Sequence, residues 1–171
     1  CRVAGGAVAK KVLSNRGVNI TAYSIEIGGV KAQTFDRSAI ENNTVRCPDP
    51  TAAEEMQQAI LDAREKGDSV GGIVEMNIQG IPGGLGDPVF GKLDARLAGA
   101  LYSLGAVKGL EFGSGFDAAR MMGSECNDQM RNGKFLTNNA GGVLGGISTG
   151  ENIIIRMAVK PTPSISKEQD T

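Results

Sequence analysis

Clustered glycine is the sequence feature that most restricts how this chain can fold. Of its 171 residues, 25 are glycine, about twice the ~7% of an average protein. The densest runs lie at 80–86 and 141–150. Because glycine has no Cβ, its backbone can enter tight turns and can approach another group closely. The run at 141–150 therefore either brings backbone N–H groups to a bound anion or permits neighbouring elements to pack tightly.

The composition excludes several classes of protein. Lys and Arg number 18 against 19 Asp and Glu, a net charge of -1, whereas nucleic-acid-binding modules usually carry a basic excess. No apolar run approaches the ~18 residues that a membrane span needs. Cys1, Cys47 and Cys126 are too few for a disulfide framework and lack metal-ligand spacing, so a reducing cytosol is the default location. Histidine is absent, so the chain by itself has no Ser-His-Asp or Cys-His site.

Hydrophobic periodicity predicts an α+β protein. Apolar residues at helical spacing predict helices over 2–13, from Thr51 to Gly67 and from Pro88 to near Gly105. Alternating residues predict strands at 18–27, 70–79, 107–112 and 152–160. Thr51 and Glu54 match a capping box at the start of the second helix. The polar stretch 117–140 predicts a long loop, and 166–171 predicts a solvated tail.

Residue types point to one candidate ligand site. The last predicted strand runs into Lys160-Pro161-Thr162-Pro163-Ser164, which follows the glycine run. A lysine and two hydroxyls supply a charge and hydrogen-bond donors for a phosphate, and glycine backbone can meet a flat ring. In the opposing interpretation, the glycines serve packing and Lys160 is a solvated strand end.

Other features carry weaker signals. The loop Gly83-Gly84-Leu85-Gly86-Asp87-Pro88 is a ligand loop, a subunit contact or simply the loop that leads into the third helix. Gly113-Ser114-Gly115 lacks the third glycine and the acidic partner of a dinucleotide fingerprint. Cys126 lies between acidic residues and the chain has no histidine to activate it, so we do not expect a catalytic thiol.

Seven strings in register resemble the chorismate synthase family. They cover nearly the whole chain, and their order and unusual glycine content make the resemblance specific. The strings are RVAGGAVAKK at 2–11, CPDP at 47–50, GDSVGGIVE at 67–75, GIPGGLGDPVFGKLDARLAGALYSLGAVKGLEFGSGF at 80–116, GSECND at 123–128, TNNAGGVLGGISTG at 137–150 and KPTPSI at 160–165.

The resemblance implies that residues 1–171 form the central part of a single chorismate synthase domain. Family chains are much longer, and their amino-terminal portion carries the catalytic histidines and much of an arginine cluster. The implied fold is a layered β-α-β sandwich with antiparallel sheets around central helices, here incomplete. The absence of histidine then has an explanation, because this segment would hold no catalytic residue of the family and no metal ligand.

The resemblance also implies an activity. The family is a carbon–oxygen lyase acting on phosphates, which converts 5-enolpyruvylshikimate 3-phosphate to chorismate by a 1,4-anti elimination of phosphate. This step of the shikimate pathway leads to the aromatic amino acids and needs reduced FMN (FMNH2). The implied protein is a cytoplasmic or plastid homotetramer. Whether it reduces its own flavin, which would involve NADP, or depends on an external reductant stays open. The alternative is an inactive FMN-binding or oligomerisation fragment, and we expect the 171-residue chain alone to be inactive.

Motif by motif, the resemblance implies flavin contacts at Gly105, Ala106, Gly145 and the five residues Lys160, Pro161, Thr162, Pro163 and Ser164. Residue chemistry independently supports Gly145 and the lysine-to-serine segment. The family often has Asn where Gly105 stands, so we expect a backbone contact there.

Overall fold

Helices and short strands alternate along residues 1–170, the part of the chain that this computed structural model describes. The helices are α1 (Arg2–Ser14), α2 (Pro50–Glu65), α3 (Leu93–Tyr102) and α4 (Gly123–Cys126). The strands are β1 (Asn19–Ile27), β2 (Val30–Lys31), β3 (Gly72–Gln79), β4 (Val107–Phe112), β5 (Met130–Arg131), β6 (Lys134–Phe135), β7 (Val143–Leu144), β8 (Ile147–Ser148) and β9 (Ile153–Val159). The predicted α+β class is confirmed.

The strands form one five-stranded sheet and two small hairpins. The order in the large sheet is β2-β1-β3-β9-β4, and the hairpins are β5-β6 and β7-β8. Strand β2 pairs antiparallel with β1, and both small hairpins are antiparallel. By its internal contacts the chain divides into two compact units. Unit 1 comprises Cys1–Thr21, Met76–Ser103 and Leu110–Ile155; unit 2 comprises Ala22–Glu75, Leu104–Gly109 and the described residues from Arg156 onward.

Two-residue turns close the three hairpins. Each pair of turn residues has positive φ: 60° and 85° at Gly28–Gly29, 52° and 74° at Asn132–Gly133, and 59° and 86° at Gly145–Gly146. Positive φ at both central positions defines a type I′ turn, whose twist matches that of antiparallel strands. The prediction of one long loop over 117–140 was therefore wrong in part, although its Asn-Gly pair is a strong hairpin signal.

The core of unit 1 lies between strands and helix α3. Val18, Ile78, Val143, Ile153 and Ile155 are its buried side chains, and Leu93, Leu97 and Leu101 of α3 pack against them. The prediction that α3 begins at Pro88 was wrong. Asp87 and Gly91 exchange two backbone hydrogen bonds of 3.0 and 2.7 Å, which hold this segment in a turn and leave Phe90 fully exposed.

Helix α2 supplies the core of unit 2. Ala52, Ala53 and Met56 on one face of α2 pack with Cys47 in a buried cluster. The predicted capping box was wrong, because the N-cap is Asp49, whose carboxylate accepts from the N–H groups of Thr51 and Ala52. Proline at the first helical position favours this arrangement, since the residue before a proline prefers extended backbone. The helix ends as predicted, with Gly67 at φ 67° just beyond it.

Helix α1 matches its prediction in span but not in burial. Its apolar residues repeat at helical spacing, yet no residue of α1 is buried, and Val3 and Val8 are 88% and 68% exposed. Within residues 1–170, no helix is both long and apolar enough to cross a bilayer.

Candidate functional site

The structure brings two of the predicted cofactor segments together in unit 2. Lys160 follows the last residue of β9, and Gly105–Ala106 form the turn before β4, its neighbour in the sheet. The N–H of Lys160 donates to the carbonyl oxygen of Ala106 over 2.9 Å. The sheet therefore places the lysine beside the glycine–alanine turn, although the sequence separates them widely.

Ala106 has an unusual backbone. Its φ is 69°, in the left-handed region that L-residues with a Cβ rarely adopt. Its methyl side chain offers no hydrogen bond to offset the strain, and non-glycine residues in such conformations cluster at functional sites. The preceding Gly105 is exposed, and no heavy atom outside its chain neighbours lies within 4 Å of the position a Cβ would take. The backbone of Gly105 is therefore open to a ligand, whereas the carbonyl oxygen of Ala106 already accepts from Lys160.

A loop to which the sequence analysis gave no role at the site holds the lysine-to-serine segment. This loop, 67–71, precedes β3. The Ser69 hydroxyl donates to the carbonyl oxygen of Thr162 over 2.7 Å, and the N–H of Ser166 donates to the carbonyl oxygen of Gly67 over 3.0 Å. A Cβ on Gly71 would lie 2.6 Å from the carbonyl oxygen of Val159 and 2.9 Å from the ring of Pro161. The string GDSVGG was the available signal, because it carries the serine and the glycine that make these contacts.

Beside this loop, unit 2 has a cleft of about 420 Å³. That volume falls within the ~300–1,000 Å³ typical of small-molecule sites. Apolar side chains form much of its wall, including Ile27, Ile60, Val74 and Val159, and its polar lining includes Arg64, Asp68, Ser69 and Thr162. The Asp68 carboxylate is paired with the ammonium group of Lys167 at 3.6 Å. Arg64 therefore contributes a positive charge to the lining of the cleft, while the negative charge of Asp68 is balanced by Lys167.

The lysine-to-serine segment offers donors of the kind that a phosphate group accepts. Lys160, Thr162 and Ser164 are all exposed, and together they offer one ammonium and two hydroxyls, the groups that commonly bind a phosphate. The prolines 161 and 163 restrict the backbone between them. Of the predicted tail at 166–171, Ser166 and Lys167 contact the 67–71 loop, and Thr171 lies outside the described residues.

The third predicted contact, Gly145, lies in unit 1 at the turn of the β7-β8 hairpin. Gly145 and Gly146 occupy the two turn positions, and they differ in surroundings. A Cβ on Gly146 would lie 2.5 Å from Cγ of Lys92, whereas no heavy atom lies within 4 Å of the corresponding position at Gly145. Tight packing therefore explains Gly146, and only Gly145 leaves space for a ligand to approach the turn.

Ser148 fastens this hairpin to the other glycine-rich loop. Its side chain is only 4% exposed. Its hydroxyl donates to the carbonyl oxygen of Pro82 over 2.7 Å and accepts from the N–H of Leu85 over 2.9 Å. The carbonyl oxygen of Gly146 in turn accepts from the N–H of Leu93, the first residue of α3. The loop that the sequence left as a ligand loop, a subunit contact or a connection is thus bonded to the hairpin.

Asp128 organises the polar strings at 123–128 and 137–142. Its carboxylate accepts from the Thr137 hydroxyl at 2.7 Å and from the N–H groups of Asn139 and Ala140 at 2.6 and 2.9 Å. Burial raises the pKa of Asp128, but these hydrogen bonds outweigh burial, so the pKa lies below its ordinary value. The two strings therefore belong to a loop that the Asp128 carboxylate stabilises through these hydrogen bonds.

Among residues 1–170, the cysteines and the other possible metal ligands form no recognisable centre. Cys1, Cys47 and Cys126 are free thiols, and burial raises the pKa of the Cys47 thiol. Within the described part of the chain, no cluster of His, Cys, Asp or Glu has the grouping of a metal site.

Comparison with known proteins gives one consistent family. The family model described as chorismate synthase matches residues 1–171. The chain is 56% identical over 170 residues to the chorismate synthase of Syntrophobacter fumaroxidans, covering 99% of this chain and 48% of that protein. It is 54% identical over 178 residues to that of Methanosarcina mazei, covering 99% and 49%.

A solved structure shares the fold. It is described as the crystal structure of chorismate synthase, and it matches with a TM-score of 0.86 and 35% sequence identity, covering 94% of this chain and 54% of that one. The chain thus spans about half the length of the curated relatives it matches.

Proposed function

Because this chain belongs to the chorismate synthase family, we propose that the complete protein converts 5-enolpyruvylshikimate 3-phosphate to chorismate and phosphate with reduced FMN. The observation that carries the proposal is the family match over residues 1–171, together with 56% identity over 170 residues to a named chorismate synthase. Reduced flavin, when bound, supplies the electron density that helps the substrate's phosphate to leave. The protein's own contribution is binding, orientation and electrostatics.

We assign this chain to cofactor binding. Lys160, Thr162 and Ser164 donate to the flavin phosphate, and the turn Gly105–Ala106, open at Gly105, meets the cofactor beside them. Gly145, in unit 1, stays a backbone contact predicted by the family resemblance. The support is that the Lys160 N–H is bonded to Ala106 and that nothing fills the space over Gly105 or Gly145.

Turnover needs more than this chain. Departure of phosphate requires cations or other donors at the developing charge, and the chain has no histidine. We therefore expect the purified 171-residue polypeptide to bind FMN without forming chorismate. The test is titration with FMN, followed by incubation with 5-enolpyruvylshikimate 3-phosphate and chemically reduced FMN under anaerobic conditions. Absence of FMN binding would refute the cofactor assignment, and chorismate formation by the polypeptide would refute its inactivity.

Exposed apolar residues on α1 favour a second role, in assembly. Val3, Val8 and Val12 are all more than half exposed, and exposed apolar surface commonly marks a contact. The occupant we propose is a second copy, as in the homotetramer that the family resemblance implies. Sedimentation velocity tests this: Val8→Gln should weaken association, whereas Lys11→Gln on the same helix should not. A monomer at all concentrations would contradict it.

The family also suggests where the protein works. We propose a cytoplasmic location, or a plastid one for a plant or alga, and no nucleic-acid or membrane partner. Fractionation of cells that express the complete protein would test the location.

A further inference from the structure

The segment Lys160–Ser164 has few means of holding its own shape. Prolines 161 and 163 have no N–H to donate, and all five residues are exposed. Its two ends are fixed, by the bond from the Lys160 N–H to Ala106 and by the bond from the Ser166 N–H to Gly67. Two of the three phosphate donors, Thr162 and Ser164, lie between these ends, so their position depends on what fixes the middle.

The Ser69 hydroxyl fixes the middle. Its 2.7 Å bond to the carbonyl oxygen of Thr162 is, among residues 1–170, the hydrogen bond that reaches the stretch between Lys160 and Ser166 from another element. Ser69 is itself held, because its N–H donates to the Asp68 carboxylate over 2.8 Å, and Asp68 is paired with Lys167. The hydroxyl therefore acts from a fixed support.

Gly71 places the same segment by shape. A Cβ at this position would lie 2.9 Å from Cδ of Pro161, closer than packed carbon atoms approach each other. The proline ring can rest on the backbone of Gly71 only because that side chain is missing. A side chain there would push the carbonyl group of Val159 and the ring of Pro161, and with them the residues that follow, away from the 67–71 loop.

We propose that Ser69 is a positioning residue for phosphate recognition: through the Thr162 carbonyl it holds the donors of Lys160–Ser164 in the arrangement that binds the phosphate of FMN. This inference rests on the proposed cofactor role. It adds that the segment recognises the phosphate end of the cofactor and that Ser69 positions the segment for this. Ser69 need not touch the ligand, because its hydroxyl is already used in the bond to Thr162.

The two flavins FMN and riboflavin make the test specific, because they differ only in the phosphate. Dissociation constants for both are measured by quenching of flavin fluorescence, on the full 171-residue chain and its variants. Ser69→Ala should raise the Kd for FMN about five- to tenfold, the loss of one hydrogen bond's worth of positioning. Its Kd for riboflavin should stay unchanged, and Ser69→Thr, which keeps the hydroxyl, should behave as the unmodified chain.

Matched controls separate positioning from stability. Ser14→Ala removes a hydroxyl that donates to the carbonyl oxygen of Lys11 within α1, and it should change neither constant. Gly71→Ala should weaken FMN binding selectively, as Ser69→Ala does, whereas Gly99→Ala on α3, where a Cβ meets nothing within 4 Å, should not. Circular dichroism tests whether each variant is folded. If Ser69→Ala does not fold, the comparison of Gly71→Ala with Gly99→Ala tests the inference instead.

The outcomes are distinguishable. If the unmodified chain binds neither flavin, the cofactor role fails and the inference fails with it. If the unmodified chain binds FMN more tightly than riboflavin but Ser69→Ala and Gly71→Ala leave that preference intact, the cofactor role stands and the inference about Ser69 is wrong. Equal weakening of both flavins would also overturn it, because a phosphate-specific role cannot affect riboflavin.

Discussion

Lys160 donates its backbone N–H to the carbonyl oxygen of Ala106 over 2.9 Å. Ala106 itself has a left-handed backbone conformation, with a φ of 69°. Two segments distant in sequence thereby form one surface of unit 2. A glycine at position 106 would adopt this φ without cost, so the alanine sits in a conformation that its neighbours impose.

Ala106→Gly should therefore stabilise the protein. Relief of the left-handed strain is worth about 1 kcal/mol in the free energy of unfolding. The matched control is Ala95→Gly, an exposed position within α3, where glycine should cost about 1 kcal/mol. Urea unfolding of both variants gives the comparison, and equal losses at the two positions would contradict the strain at Ala106.

Gly86→Ala and Gly84→Ala should differ although both glycines have positive φ, 127° and 94°. A Cβ on Gly86 would overlap the carbonyl oxygen of Gly146, whereas nothing lies within 4 Å of that position at Gly84. Both variants lose stability because alanine disfavours a positive φ. Only Gly86→Ala must also displace the β7-β8 hairpin. We expect it to lose a further ~1–3 kcal/mol in thermal or urea unfolding; similar losses would mean that the loop moves freely.

Asp49 should make stability depend on acid pH. Four backbone N–H groups bond to its carboxylate, from Gln33, Thr34, Thr51 and Ala52, and hydrogen bonds led by that from Gln33 lower its pKa from 3.8 to about 2. The folded pKa is depressed, so the carboxylate's contribution is complete above the unfolded value near 3.8 and is lost as the pH falls to about 2.

The measurement is urea unfolding of Asp49→Asn and the unmodified chain between pH 7 and pH 2. The stability difference between them should be constant down to about pH 5 and should then shrink. Asp62→Asn is the control, because Asp62 is an exposed carboxylate near the other end of α2. A difference that stays constant down to pH 2 would contradict the role of the Asp49 charge.

Asp128→Asn should loosen the loop that connects α4 to the glycine run. Replacing a carboxylate oxygen by an amide nitrogen places one donor against another, and an unsatisfied donor costs about 1–3 kcal/mol. Hydrogen exchange at the N–H groups of Asn139 and Ala140 should quicken. Asp117→Asn is the comparison, since Asp117 is exposed and paired with Arg120 on the surface, a contact worth at most ~1 kcal/mol. Unchanged exchange in Asp128→Asn would show that the loop is held by other bonds.

Part of the candidate site could be foreseen from the chain. Hydroxyls and an ammonium close together in Lys160–Ser164 predict a phosphate site from residue chemistry alone, and the family resemblance added Gly105 and Ala106. The parts that hold this segment, Ser69 and Gly71, could not be derived, because nothing in the spacing of a serine and a carbonyl far along the chain shows that they meet.

What the sequence by itself determined is local. Alternation of apolar residues set β1, β3 and β9, and the Asn-Gly and Gly-Gly pairs encode the type I′ turns, because dihedral preferences act within a few residues. Tertiary structure decided which of two adjacent glycines a ligand can approach. The side chain of Lys92 packs against Gly146, whereas no heavy atom lies within 4 Å of the position that a Cβ on Gly145 would take. It also decided that Ala106 adopts a left-handed backbone conformation and accepts a hydrogen bond from Lys160. Such contacts depend on the packing of distant elements, and no local pattern carries that information.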